Sequence, residues 1–332
     1  MTLYPIGKVI YKIAHYHYTW KTPDMNNTLI YANGVAKFFG SIPALKSLSL
    51  EVPEGISGFI GANGAGKTTT INILLGLLKP DAGQAQVFGM DCWHDSYKIR
   101  RRLGILHEKP AYPGNFTGQR YLEHVARLYS VNQPNQRVQE LLKEVDMTKA
   151  KDRPIKTYSA GMTQRLGLAQ ALIGDPELAI LDEPTANLDP MGRIEFLEKI
   201  KTLHEEKGVS FFISTHILPE LEKICEYVSI VDEGRTVDQG TVKFLSEKYS
   251  ATIYKIETPN PQLLASHIKK LESVDDAWVQ NNMVLCKVSN TKKFSSQLPK
   301  LASDLNVGID SFQPLHSTLE EIFKVVSGRE KG

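Results

Sequence analysis

Residues 56–68 constrain this chain more than any other stretch. Ile56-Ser-Gly-Phe-Ile60 is a short apolar run suited to a buried strand, and it leads directly into Gly61-Ala62-Asn63-Gly64-Ala65-Gly66-Lys67-Thr68. The spacing is G-x-x-x-x-G-K-[ST], in the strand–loop–helix setting the pattern requires. The glycines let backbone N–H groups turn inward and cradle phosphate oxygens, which side chains at those positions would block. The helix that follows directs its positive end at the anion. Apolar residues at 71, 73, 74, 77 and 78 give that helix a buried side and predict that it runs to Leu78. Lys67 is placed to reach the β- and γ-phosphates and the Thr68 hydroxyl to hold Mg²⁺, with Thr69 next in the nucleotide-binding set.

A phosphate loop selects a nucleotide but not a machine, and partner residues have to do that. Leu178-Ala-Ile-Leu181 is a second buried-strand run, ending in Asp182-Glu183 with Pro184 behind them. Carboxylates at the C-terminal edge of a strand in an α/β sheet point into the crevice where ligands bind. There Asp182 suits Mg²⁺ coordination, directly or through water, and Glu183 suits orientation and deprotonation of an attacking water. A third run, Val209-Ser-Phe-Phe-Ile213, ends in Ser214-Thr-His216, so His216 emerges at the same edge and could contact the γ-phosphate or the nucleophilic water.

At 332 residues the chain is long enough for about two domains with sizeable cores. Its 39 Lys+Arg against 37 Asp+Glu leave a formal charge of +2, which provides no electrostatic footprint for nucleic acid. Cys92, Cys225 and Cys286 are scattered, so they make neither a disulfide framework nor a four-cysteine zinc site and read as reduced thiols. No stretch approaches the roughly 18–20 uninterrupted apolar residues of a membrane-spanning helix.

With these motifs in order, the chain resembles the ATP-binding cassette subunit of an ABC transporter over about residues 28–240. Tyr158-Ser159-Ala160-Gly161-Met162 stand where that family carries its signature motif, usually LSGGQ. The resemblance places the distal D-loop aspartate on Asp189, the switch histidine on His216 and the adenine-stacking aromatic on Phe39. It places the Q-loop glutamine on Glu108, which can still reach a Mg²⁺-bound water but adds a negative charge. The signature departs at Ala160 and Met162, yet keeps the hydroxyl of Ser159 and the close approach offered by Gly161. Ser159 also suits an N-cap that aims a helix at a phosphate.

The resemblance implies an α/β fold, a P-loop NTPase cassette over 28–245 with a helical subdomain at about 110–165; a change of pattern beyond about residue 250 suggests a small C-terminal α+β domain over 246–332. It implies ATP and Mg²⁺ as cofactors and a second cassette as partner, either the same chain or a related subunit. Each ATP would then sit between one subunit's phosphate loop and the other's Ser159–Met162 and Asp189. A polytopic membrane permease is the other expected partner, export the expected direction, and the cytoplasmic face of the cell membrane the expected location. The alternative is a soluble cassette protein acting on ribosomes or nucleic acid. Against it stand the single cassette and the absence of both heptad coiled coils and zinc cysteines.

The two ends add less. Ile6, Val9, Ile10, Ile13, Tyr16 and Trp20 make a helical stripe within a 1–27 extension that could lie on a membrane surface or a partner. A loose tail, or a start at Met25, reads equally from the same residues. Beyond the expected hairpin Tyr227–Val231 and Thr236–Gly240, turned at Gly234, a β-α-β-β-α-β order is expected. Its strands fall at 251–257 and 283–288 and just before Leu315, its helices at 262–271 and 293–304, and a helix at 318–326 closes the chain. His267 and His316 read as surface or packing residues.

Overall fold

The structure, a computed structural model, describes residues 28–250, 253–280 and 282–314, together with Leu319, Ile322 and Phe323. The stripe Ile6–Trp20, His316 and most of the expected helix at 318–326 lie outside the described residues.

The chain opens with a long antiparallel pair, β1 (Thr28–Phe39) and β2 (Ile42–Pro53). Leu48, Leu50 and Val52 of β2 alternate inward, as a half-buried strand requires. β3 (Ile56–Ile60) runs into the phosphate loop and α1 (Lys67–Leu74). That helix stops short of Leu78. Gly76 takes φ +66°, and a Cβ there would collide with Cys92 O and Ser96 Cβ, so the chain turns under the second β-layer. β4 (Ala82–Val87), β5 (Met90–Asp91), α2 (Ser96–Arg100) and β6 (Leu103–Leu106) follow.

A helical layer comes next: α3 (Gly118–Leu128), α4 (Pro134–Glu144) and α5 (Ala160–Ala171). Leu122, Val125, Val138, Leu141 and Leu166 fuse the three into one core. The chain then returns to the sheet through β7 (Leu178–Asp182), α6 (Pro190–Lys207), β8 (Ser210–Thr215) and α7 (Leu218–Leu221). β9 (Tyr227–Asp232) and β10 (Arg235–Thr241) form the expected hairpin. Glu233 and Gly234 both carry positive φ at its turn, which matches the strands' right-handed twist.

The ten strands lie in the order β5-β4-β1-β2-β10-β9-β3-β8-β7-β6. The segment β9-β3-β8-β7-β6 is parallel and covered on both faces. This is why β3, β7 and β8 are continuous apolar runs rather than alternating ones. Ile60, Leu181 and Ile213 face one core, while Phe59, Ile180 and Phe212 face the other.

After α8 (Val242–Ser250) the chain enters a four-stranded sheet of its own. β11 (Ile253–Glu257), α9 (Pro261–Ile268), β12 (Val274–Gln280), β13 (Met283–Val288), α10 (Thr291–Asp304) and β14 (Ser311–Pro314) give the strand order β12-β13-β11-β14. Every pair is antiparallel, a split βαβ arrangement, over a core of Ile256, Leu264, Cys286 and Phe294. Beyond β14, the helical residues Leu319 and Ile322 are buried with the helical-layer core of the first sheet, not with this small core. Among the described residues, no helix is long and apolar enough to cross a membrane.

Candidate nucleotide site

Parallel pairing makes three strands end together. Ile60 of β3 is in register with Thr215 of β8, and Ser214 of β8 with Asp182 of β7. The phosphate loop, Asp182-Glu183 and His216 therefore emerge from one edge without any long-range coincidence. A cleft of about 400 Å³ lies there, lined by Asn63, Gly64, Lys67, Thr68, Glu108, Glu183 and His216 among others.

The loop's glycines differ in what they do. Gly64 has φ +82°, and a side chain there would meet nothing within 4 Å, so it opens toward the cleft. Gly66 has φ +106°, and a Cβ would press on Leu45 Cδ2 at 2.6 Å and Ala44 O at 3.0 Å. It is a packing requirement as well as a conformational one. The Lys67 ammonium, 6% exposed, donates to Gly61 O at 2.7 Å and lies 3.0 Å from Glu183 Oε1. A phosphate arriving in the loop competes with that carboxylate for the same ammonium.

Asp182 is buried, and its two oxygens accept the hydroxyls of Ser214 at 2.5 Å and Thr68 at 3.2 Å. Burial pushes its carboxyl above the ordinary range, the two hydroxyls pull it back, and Glu183 and Glu108 nearby add to the rise. Glu183 sits at φ +47°, a left-handed conformation uncommon for its residue type. Its N–H is pinned by Ser214 O at 3.1 Å and Ser214 Oγ at 3.0 Å, and its Oε2 lies 2.9 Å from His216 Nδ1. Ser214 thus holds the Asp182 carboxylate and the Glu183 backbone N–H at once. Its only signal in the sequence is its position at a strand end two residues before His216.

The hydroxyl of Thr68 and the carboxylate of Asp182 are hard oxygen donors already side by side, which suits Mg²⁺. Among the described residues, no group of three or more His, Cys, Asp or Glu could hold a metal. That fits an ion held by two protein oxygens with the remaining positions filled by phosphate and water.

The other expected site residues lie elsewhere. Ser159 caps α5, accepting from Met162 N at 3.3 Å. Ser159, Gly161 and Met162 line a separate cavity of about 370 Å³ with Leu188, Arg153 and Arg165. A Cβ on Gly161 would meet only Leu188 Cδ2 at 3.8 Å, so the backbone there is open to approach. Ala160 is exposed at the start of α5, and Asp189 caps α6, accepting from Gly192 N at 2.7 Å. Phe39 is 53% exposed at the tip of the β1–β2 pair and does not line the cleft. Ser159, Gly161 and Met162 thus face a second opening, while Ala160, Asp189 and Phe39 line neither it nor the cleft.

The ABC transporter family pattern matches residues 45–186. The chain is 39% identical to the bacitracin transport ATP-binding protein of Bacillus licheniformis, over 64% of its own length and 70% of that protein's. It is 29% identical to the daunorubicin/doxorubicin resistance ATP-binding protein of Streptomyces peucetius, over 90% of this chain and 92% of that one. Among solved structures, an ATP-binding subunit of an ABC transporter superposes with a TM-score of 0.60 at 27% identity, covering 67% of this chain and 93% of its own.

Proposed function

This chain belongs to the ABC transporter family, and from that premise we propose that it is the ATP-hydrolysing subunit of an exporter whose membrane permease is a separate polypeptide. The observation that carries this reading is the convergence on Glu183, with Lys67 at 3.0 Å and His216 at 2.9 Å on its two oxygens, at the mouth of the phosphate loop. The relatives named for bacitracin transport and for daunorubicin and doxorubicin resistance support export over ribosome or nucleic-acid work.

ATP enters with its phosphates against the loop amides of Gly61–Thr69, and Lys67 transfers its ammonium from Glu183 to the β- and γ-phosphates. Mg²⁺, held by Thr68 and Asp182, supplies charge neutralisation on those phosphates when bound. Glu183, released from Lys67, faces the γ-phosphate and orients a water. Its carboxylate takes the water's proton as the oxygen attacks γ-phosphorus and the bond to the β-phosphate oxygen breaks. With Nδ1–H donating to Glu183, the Nε2 of His216 is free to accept. Glu108 reaches the cleft as a carboxylate where the family carries glutamine, and Phe39 offers a π-face for adenine.

Ser159, Gly161 and Met162 open on a different cavity, with Ala160 between them in the chain and Asp189 following its wall residue Leu188, so this set serves the ATP of a second cassette while that cassette serves this one's. The subunit is peripheral, held at the cytoplasmic face of the membrane by its permease. The test is Glu183→Gln. Turnover falls by about 10²–10⁴-fold, the range of a general base, and size-exclusion chromatography with MgATP resolves a trapped dimer. Undiminished turnover would overturn the assignment.

A further inference from the structure

The chain leaves the cassette after β10, builds the second sheet, and then returns. Leu319 and Ile322 are 1% and 0% exposed, yet they belong to the buried apolar cluster of the first unit that also holds Ile60, Leu218 and Leu221. Leu319, Ile322 and Phe323 are spaced i, i+3, i+4, one helical face, and that face lies on the cassette. The Leu319 N–H donates to a carboxylate oxygen of Glu222, the residue that ends α7. Phe323 closes a cavity of about 240 Å³ whose other walls are Ile60, Gly61, Ala62, Asn63, His216 and Leu218.

α7 is one turn long, and it begins two residues after His216. Four residues of helix cannot hold themselves in place. What packs on α7 therefore decides where His216 stands: Glu220 is tied to Thr185 and Arg193 on the cassette side, Leu221 lies against Gly58, and Leu319, Ile322 and Phe323 complete the cover. We propose that Phe323 is a positioning residue for hydrolysis: it wedges between the first half of the phosphate loop and α7, and so fixes the His216 side chain against Glu183. This rests on the reading of Glu183 and His216 as the hydrolytic pair. It goes further by making the register of His216 depend on the end of the chain, and so on whatever moves the second sheet.

The consequence separates binding from chemistry. Phe323 lines a cavity that does not include Lys67 or Thr68, whereas those two line the nucleotide cleft, so its loss leaves nucleotide affinity in place while His216 drifts from Glu183. Displacement on the ångström scale costs about 10–100-fold in rate. The experiment is a kinetic cycle on the full chain with Phe323→Ala, His216→Ala and the double variant, measuring kcat and KM for MgATP. The expected result is a kcat lowered about tenfold or more by Phe323→Ala, a KM within about twofold, and recovery of kcat in Phe323→Tyr. In the His216→Ala background, Phe323→Ala costs nothing further. An unchanged kcat, an effect confined to KM, or full additivity in the double variant would overturn the proposal. Should Phe323→Ala fail to fold, Phe323→Val completes the same cycle. If His216→Ala alone leaves kcat intact, the hydrolytic assignment fails instead, and the two failures are told apart.

Discussion

Asp182 and Glu183 are neighbours in sequence held in opposite electrostatic conditions. Asp182 has hydroxyl partners and a raised pKa, so its ionised form costs the fold stability. The protonated native carboxyl is favoured between the ordinary aspartate value and the raised one. Its contribution is therefore intact below the ordinary value and lost as pH rises through the raised one. Asp182→Asn removes that loss, and its melting temperature gains on the unsubstituted protein more at pH 8 than at pH 4, read by thermal denaturation without nucleotide. Equal gains at both pH values would show that the carboxyl titrates normally. Gly66→Ala works in the other direction: φ +106° and the contacts to Leu45 and Ala44 make it destabilising by about 1–3 kcal/mol, measurable as a drop in denaturant midpoint. At this scale the sequence was most informative. Glycine spacing and strand-end carboxylates carry chemistry in their identity, so the loop, Asp182, Glu183 and His216 could be read without coordinates. Ser214 could not, because its hydroxyl meets the Asp182 carboxylate and the Glu183 backbone N–H only through strand register.

Helix ends are where elements carry function here. α5 starts at Ser159 and α6 at Asp189, and each cap residue satisfies an orphan N–H of its own helix. Capping and phosphate recognition can be separated at Ser159. Aspartate caps as well as serine but brings a negative charge to the surface proposed to meet a phosphate. Ser159→Asp should hold the melting temperature close to that of the unsubstituted protein and abolish cooperative ATP hydrolysis, whereas Ser159→Ala loses about 1 kcal/mol of stability as well. A large loss of stability in the aspartate variant would count against the cap. Boundaries were less legible than caps. The apolar period runs on to Leu78, but α1 ends at Leu74 because Gly76 is pressed under Cys92 and Ser96, a tertiary constraint that no helical period records. β12 was equally hidden: Val274-Asp-Asp-Ala-Trp-Val-Gln280 has two acids inside it and earns its strand by pairing with β13.

For the whole molecule, the three thiols are natural reporters. Cys92, Cys225 and Cys286 are buried in three different cores, one on each face of the large sheet and one in the small unit. Burial pushes Cys92 and Cys286 up to about 12 and Cys225 higher still, so none reacts as a thiolate in the native state. The small unit buries the least surface, and in mild denaturant Cys286 should be alkylated first, with Cys92 and Cys225 following together. Mass spectrometry of pulse-labelled samples reads that order, and simultaneous labelling would mean one cooperative unit. The second sheet begins at Ile253, close to the change of pattern in the sequence near residue 250. The return of Leu319 and Ile322 to the first unit could not be read from the sequence, since an apolar stripe does not say which core it joins. One feature reaches beyond the single chain. Because Ser159, Gly161 and Met162 open on a different cavity from the phosphate loop, a lone copy would hold, under the proposed function, two half-sites that cannot meet. On the proposed pairing, hydrolysis rises with the square of concentration when the protein is dilute. A copy broken only at Ser159 still lends a sound phosphate loop to its companion, so co-expressed with intact chains it would act as a dominant poison graded by gene dosage.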